Sequence, residues 1–387
     1  MMTMKDLWQI PITKHFTVVA GKNALCKKIE SVEILDFEFA TGIEHARETI
    51  FNPNSLVLSS LLFANQHPEL LLETIKKLIE LRVSALAYKP VIFKELPDEI
   101  IAYANEKGFP ILRFGGDEFF ETVIMEVMEH IKERKHETFL TEMVHSFLEE
   151  EVTEEQIHSY VQQMNRPLDK YICVANLQRK NLSDDKWMDS FLKLGIVCHY
   201  RNSLFLIYSD KHQHIQFEKA LTDHMDFYHI PSEEWTIGYS ETHVSHTGLH
   251  LAVREAYYSC ALAMIEMKSV CHYEQLTSER ILFEFYRNDP PFARNYMNKY
   301  LHKLLKNQEL LHTAISFILK NGNVKEVAGA LFCHSNTIRY RLSKIQQMID
   351  PSSNELAFYE HLSQAVKLYL LDQQVGRMSN DLDSVQK

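Results

Sequence analysis

The chain has 387 residues, 45% of them apolar and 24% charged, with a formal net charge of −11. That length holds two or three domains with buried cores, and the acidic balance excludes a general affinity for polyanions. No run of about 18 uncharged apolar residues, the length a membrane span needs, occurs in it.

The N-terminal segment MMTMKDLWQIPITKHF lacks the basic-then-apolar order of a signal peptide, so a cytoplasmic protein with no membrane partner is expected. Across residues 5–132 short apolar runs alternate with helical patterns. Strands are expected at 17–20, 32–35, 56–59, 85–87 and 111–113, with helices at 70–81 and 99–107. That rhythm predicts a small α/β domain with a partly parallel sheet. Residues 115–119 then spell GGDEF.

From Glu118 to about Met164 the period is helical, interrupted by the like-charge run Glu149-Glu150-Glu151 and Glu154-Glu155. Residues 133–169 are therefore expected to form a helical connector that could pair with itself in a dimer. Residues 170–278 return to mixed α/β, with strands at 171–176, 195–200, 204–208 and 236–239 and a long helix at 247–267. The region 279–372 reads as all helical, broken at Asp289-Pro290-Pro291. Residues 373–387 read as a polar, frayed tail.

Six cysteines without a C-x-x-C pair read as small buried hydrophobes in a reducing compartment, Cys333 among them. His243, His246 and His250 lie close together, but no matching cysteine or carboxylate cluster accompanies them. No metal and no cofactor are expected.

The most informative stretch is 322–348, GNVKEVAGALFCHSNTIRYRLSKIQQM. Val324, Val327, Ala328 and Leu331 fall at i, i+3, i+4 and i+7, one buried helical stripe. Asn323 is placed to cap that helix, with Glu326 completing a capping-box-like start. A second helix repeats Ile338, Leu342, Ile345 and Ile349 on its buried side. Asn336, Thr337, Tyr340, Arg341 and Lys344 are left outward, with Arg339 on the flank. Such side chains suit a duplex: guanidinium to guanine, amide to adenine, hydroxyl and ammonium to the phosphate backbone. Residues 320–349 hold Lys320, Lys325, Arg339, Arg341 and Lys344 against Glu326 alone, +5 − 1 = +4 in a chain of −11. The pattern is that of a helix-turn-helix DNA reader at 323–348.

HSNTIRYRL closely resembles the C-terminal signature of PucR-type bacterial transcription regulators, through His334, Asn336, Thr337, Arg339, Tyr340, Arg341 and Leu342. That family usually has Arg where this chain has Ser335. A serine is a good helix cap, so the helix start should survive at the expense of one expected phosphate or base contact. VVAGKNAL, SVEILD, SLVLSS, RVSALAYK and GFPIL resemble, in order, the PucR sensor domain. IGYS, AVREAYYSCALAM and HYEQL resemble the degenerate GGDEF-like middle domain of the same regulators.

The resemblance implies a multidomain fold: an α/β sensor domain, an α+β GGDEF-like domain and an all-α helix-turn-helix domain. It implies a transcription activator of a catabolic gene set such as purine or amino-acid breakdown, responsive to a small-molecule effector. Double-stranded DNA would be held by Lys325, His334, Ser335, Asn336, Thr337, Arg339, Tyr340, Arg341 and Lys344. A homodimer or higher homo-oligomer is expected, with RNA polymerase as a further partner.

One alternative is a nucleotide-binding or diguanylate-cyclase-like protein using the GGDEF string or the middle domain. That chemistry needs the string on a hairpin turn, where glycines admit the nucleotide and carboxylates hold Mg²⁺. Here residues 115–119 are expected to run from a strand straight into a helix, with Asp117 as its cap, and the hairpin of the middle region reads HYRNSLF. No P-loop, G-x-S-x-G, H-E-x-x-H or dinucleotide glycine fingerprint occurs. No enzyme is expected. The other alternative is an adaptor whose basic helices bind a protein.

Overall fold

A computed structural model describes residues 2–35, 51–115, 118–179 and 188–379. The chain divides into two compact units, Met1–Phe139 and Leu140–Lys387.

In the first unit, β1 (Thr17–Ala20), β2 (Ser31–Ile34), β3 (Ser55–Ser59), α1 (Leu70–Glu80), β4 (Ala85–Tyr88), α2 (Asp98–Glu106) and β5 (Ile111–Arg113) follow one another. The sheet order is β1-β5-β4-β3-β2, with β1 antiparallel to β5 and the other pairs parallel. Every residue of β3 and β4 is buried, as central parallel strands covered on both faces must be. The period of two sorts their side chains. Val57, Leu86 and Ile111 pack with Leu71, Ile75 and Leu78 of α1 and Ile100 of α2. Leu56, Leu58, Ala85, Ala87 and Leu112 pack with Met4, Leu7 and the stripe Val123, Val127 and Ile131 of the next helix. This is the expected α/β region.

That helix, α3 (Phe120–Glu149), starts just after residues 115–119, which follow β5. Gly116 and Asp117 lie outside the described residues, and with them the capping role expected of Asp117. Lys89 Nζ donates to the Glu118 carbonyl at 2.9 Å.

In the second unit α4 (Glu154–Gln163) follows a break at the glutamate run, and Thr153 caps it through Oγ1, which accepts from Gln156 N at 3.3 Å. Next come β6 (Tyr171–Arg179), α5 (Met188–Phe191), β7 (Ile196–Tyr200), β8 (Ser203–Asp210), α6 (Phe217–Phe227), β9 (Trp235–Tyr239), β10 (His243–Val244), α7 (Ser245–Ile265) and β11 (Val270–His272). The sheet order is β11-β9-β6-β8-β7, with β10 on β6. β6 is antiparallel to β8 and β9, while β9 and β11 run parallel.

The two helices α6 and α7 take opposite faces of this sheet. Phe217, Leu221 and Met225 of α6 join Ala175, Leu177, Ile237 and Tyr239 in one core. On the other side, a Cβ added to Gly238 would sit 2.0 Å from the Cys260 backbone nitrogen, so α7 lies directly on β9. The elements α6, β10 and β11 go beyond the sequence expectation. Four cysteines are buried as expected, with the thiols of Cys198 and Cys260 pushed up to about 12 by burial, whereas Cys26 is exposed.

The remaining chain is helical: α8 (Ser278–Asn288), α9 (Pro290–Leu301), α10 (Gln308–Leu319), α11 (Val324–Ala330), α12 (Ser335–Ile349) and α13 (Glu355–Ser379). Asp289 breaks the chain as expected and caps α9, its Oδ1 accepting from Phe292 N at 3.0 Å with Pro290 at the first helical position. The tail expected from residue 373 differs, because α13 continues to Ser379. A helix already nucleated on packed residues such as Phe358, Leu362 and Val366 extends at little cost through polar sequence.

Candidate nucleic-acid interface

The site is built on α10, α11 and α12. Asn321 and Gly322 turn the chain between α10 and α11 in the left-handed region, at φ 48° and 77°, and Gly322 N donates to the Phe317 carbonyl at 2.8 Å. Asn323 caps α11 as expected, its Oδ1 accepting from Lys325 N at 3.2 Å and Glu326 N at 3.4 Å. The Glu326 carboxylate closes the box by accepting from the Asn323 side-chain amide at 2.6 Å rather than from its backbone.

The turn into α12 runs through Phe332, which is left-handed at φ 52° and 97% exposed. Cys333 is partly buried against the helical core, and its N–H donates to the Ala328 carbonyl at 3.0 Å. The cap of α12 is His334, not Ser335: His334 is extended and its Nδ1 accepts from Asn336 N at 3.2 Å. Ser335 is the first helical residue. The helix start therefore survives the serine because the residue before it does the capping. An accepting Nδ1 leaves the ring proton on Nε2, available as a donor.

Beneath the surface the two expected stripes meet. Val327, Ala328, Ile338, Leu342 and Ile345 are buried with Leu310, Ala314 and Phe317 of α10, and Val324, Leu331 and Ile349 pack at the margin. At the far end of α12, Lys303 Nζ donates to the Met348 carbonyl at 2.7 Å, a cation at a helix C-terminus.

The outer face carries Asn336, Arg339, Tyr340 and Lys344, all exposed, with Thr337 half-buried and Lys325 exposed on α11. Arg339 Nη1 donates to Asn336 Oδ1 at 3.2 Å, so one turn of helix presents a guanidinium and an amide together. Arg341 departs from the outward position expected of it. Its side chain is only 17% exposed, pairs with Glu309 of α10, and donates to Thr313 Oγ1 at 3.4 Å. A rotation of about 100° per residue places 341 between the buried 338/342/345 stripe and the outer face, within reach of α10. Neither Glu309, Thr313 nor the exposed ring of Phe332 is marked by a periodicity in the sequence.

The elements so assembled are two short helices around a tight turn, with a cationic and amide-bearing face on the second: a helix-turn-helix DNA-binding module. Residues 310–368 match the PucR C-terminal helix-turn-helix domain, and residues 6–131 match the purine catabolism regulatory protein-like family, PucR. The chain carries the PucR family's domain at its N-terminal end and that family's helix-turn-helix domain toward the C-terminal end.

It is 25% identical over 194 residues to the uncharacterized protein YsfB of Bacillus subtilis (strain 168), a match covering 48% of this chain and 50% of that protein. The chain thus spans about half the length of this curated relative. A regulator of polyketide synthase expression from Bifidobacterium adolescentis aligns over 60% of this chain and 98% of its own, at 15% identity and a TM-score of 0.26, too low to bear on the fold.

Elsewhere, the turn between β7 and β8 holds Arg201 and Asn202, without glycine or paired carboxylates, and Arg201 pairs with Glu149 at 3.1 Å. His243 Nε2 lies 2.9 Å from Glu255 Oε2, and no group of three metal-binding side chains occurs among the described residues. Among those residues no helix is long and apolar enough to cross a membrane.

Proposed function

We propose that this chain is a sequence-specific DNA-binding transcription regulator, an activator of a catabolic gene set such as purine or amino-acid breakdown, acting in the cytoplasm. The observation that carries this reading is the outer face of α12, where Asn336, Arg339, Tyr340 and Lys344 stand exposed over a fully packed support. Arg339 and Asn336 are the base-reading pair, guanidinium for guanine and amide for adenine. Lys325, Lys344, Thr337, Tyr340 and the His334 and Ser335 side chains contact the backbone. A single reader helix covers a few base pairs, so a homodimer or higher homo-oligomer supplies the second half-site. The N-terminal α/β domain senses a small metabolite, and the 170–278 region, a degenerate GGDEF-like domain, relays the change toward the reader. RNA polymerase is the partner of the activating state.

The test is selection of duplexes from a random pool by the full chain, followed by binding of the selected sequence. Asn336→Ala should relax specificity at one base position and weaken binding by about 1–3 kcal/mol. Wild-type affinity and specificity in that variant would remove Asn336 from the reader. A thermal-shift screen of purines, ureides and amino acids addresses the effector, since a ligand at about 100 times its Kd stabilises by about 2.7 kcal/mol.

A further inference from the structure

The central sheet holds a crevice that the DNA-binding reading leaves unused. It encloses ≈ 700 Å³ and opens at the carboxyl ends of the parallel strands β9 and β11, where Tyr239 stands beside His272. The chain reaches β9 from α6 on one face of the sheet and leaves it for α7 on the other. In open parallel sheets such a reversal opens a crevice at the strand ends where ligands bind, and β9–β11 is the parallel pair here. The crevice lies at the starting end of β6, near Cys173, away from the β7–β8 turn that a cyclase would use.

Its walls are aromatic and its rim is acidic. The Tyr239 ring stacks on His272 at 5.0 Å with 13° between planes, and Phe217 meets it edge-on at 5.8 Å. Glu218, Glu241 and Glu274 line the opening against one ammonium, Lys219. Glu218 reaches His272 Nε2 at 3.2 Å. Burial, with Glu218 adding to it, pushes the Tyr239 phenol far up, so it stays a neutral hydrogen-bonding group. One wall already holds a cation of the chain's own. The Arg280 guanidinium lies 4.0 Å over the Tyr273 ring and donates to Glu241 Oε1 at 3.1 Å and to the Tyr273 carbonyl at 2.7 Å.

A rim of carboxylates above an apolar wall favours an organic cation, through charge-assisted hydrogen bonds to its ammonium and burial of its carbon chain. The same rim repels phosphates and dicarboxylates. We propose that this crevice is a binding site for a small aliphatic amine, its ammonium held between Glu218 and Glu274 and its carbon chain against Tyr239 and Phe217. The inference stands without the DNA-binding reading and is tested apart from it.

The experiment is calorimetric titration of the full chain, without DNA, using putrescine, with glutarate as the anionic control. Putrescine should bind saturably and glutarate should not. Glu274→Gln, at the exposed rim, should weaken putrescine by about tenfold, as should Glu218→Gln, with unchanged circular dichroism. Absence of saturable putrescine binding at millimolar concentration overturns the proposal. So does glutarate binding as well as putrescine, or undiminished putrescine binding in a folded Glu274→Gln, Glu218→Gln double variant, which would mark the amine as a diffuse counterion of an acidic chain.

Discussion

The outer face of α12 and the crevice at the end of β9 and β11 handle charge in opposite ways. On α12 the polar groups stand outward, and Arg339 and Lys344 are exposed above a closed apolar core. In the crevice the carboxylates ring an aromatic hollow, and Glu218 and Glu241 are already engaged by His272 and Arg280. A convex cationic surface suits an extended polyanion, whose many phosphates can each find a partner. A concave acidic one suits a single small cation that is desolvated on entry. The contrast also separates Arg341 from Arg339 two residues away: the first is spent on Glu309 within the fold, and the second faces solvent.

Each side of that contrast can be broken separately. The largest effect should come from Ile338→Ala, a fully buried side chain beneath the reader face. Its loss should cost about 2–5 kcal/mol, read as a lower denaturation midpoint. DNA binding should fall with it much more than amine binding in the crevice, because Ile338 belongs to a separate core; an equal fall in both would mean that the two regions unfold as one. Next is Asn323→Ala, which removes the cap of α11. A loss of about 1 kcal/mol is expected in thermal melts, within the usual range for helix caps, and an unaltered melt would show that Glu326 or water replaces it.

A pH-dependent effect concerns Glu279 on α8, which pairs with Lys367 of α13 at 2.6 Å. Burial pushes its carboxyl up, but the Lys367 hydrogen bond and charge and backbone N–H groups outweigh this and hold it down at about 2, against an ordinary 4.5. A carboxylate held low in the folded state stabilises fully above its unfolded value and loses that stabilisation as pH falls toward the folded one. Melts of wild type and Glu279→Gln should therefore converge as pH drops from about 4.5 toward about 2. A gap independent of pH would show that packing, not the ion pair, is what the variant disturbs.

The reader was legible in the sequence because its logic is local. The i, i+3, i+4 stripes of α11 and α12 lie within a few turns, and so does the Asn323 cap. Single positions were less so: Ser335 reads as a cap by residue type, yet the extended backbone of His334 takes that role. Arg341 reads as outward by its place on the helix, but its partner Glu309 lies on another helix, and no period relates the two. The strands of the first sheet were readable as apolar runs between turns, whereas β11 lacks the preceding glycine and proline that mark the equally short β5. The crevice was not legible at all, since Phe217, Tyr239 and His272 come from three separate connections and meet only through strand order.

In the proposed DNA-binding function the exposed side of α12, and not its Arg341 flank, meets the duplex. The direct measurement is the salt dependence of binding to a selected duplex, compared among wild type, Lys344→Ala, Arg339→Ala and Arg341→Gln. Lys344→Ala should reduce the slope of log K against log salt by about 0.9, one phosphate contact. Arg339→Ala should weaken binding by about 1–3 kcal/mol, while Arg341→Gln should leave the slope unchanged and lower stability by about 1 kcal/mol or less. A slope that falls in Arg341→Gln and holds in Lys344→Ala would contradict the account and turn the reader helix to its other side.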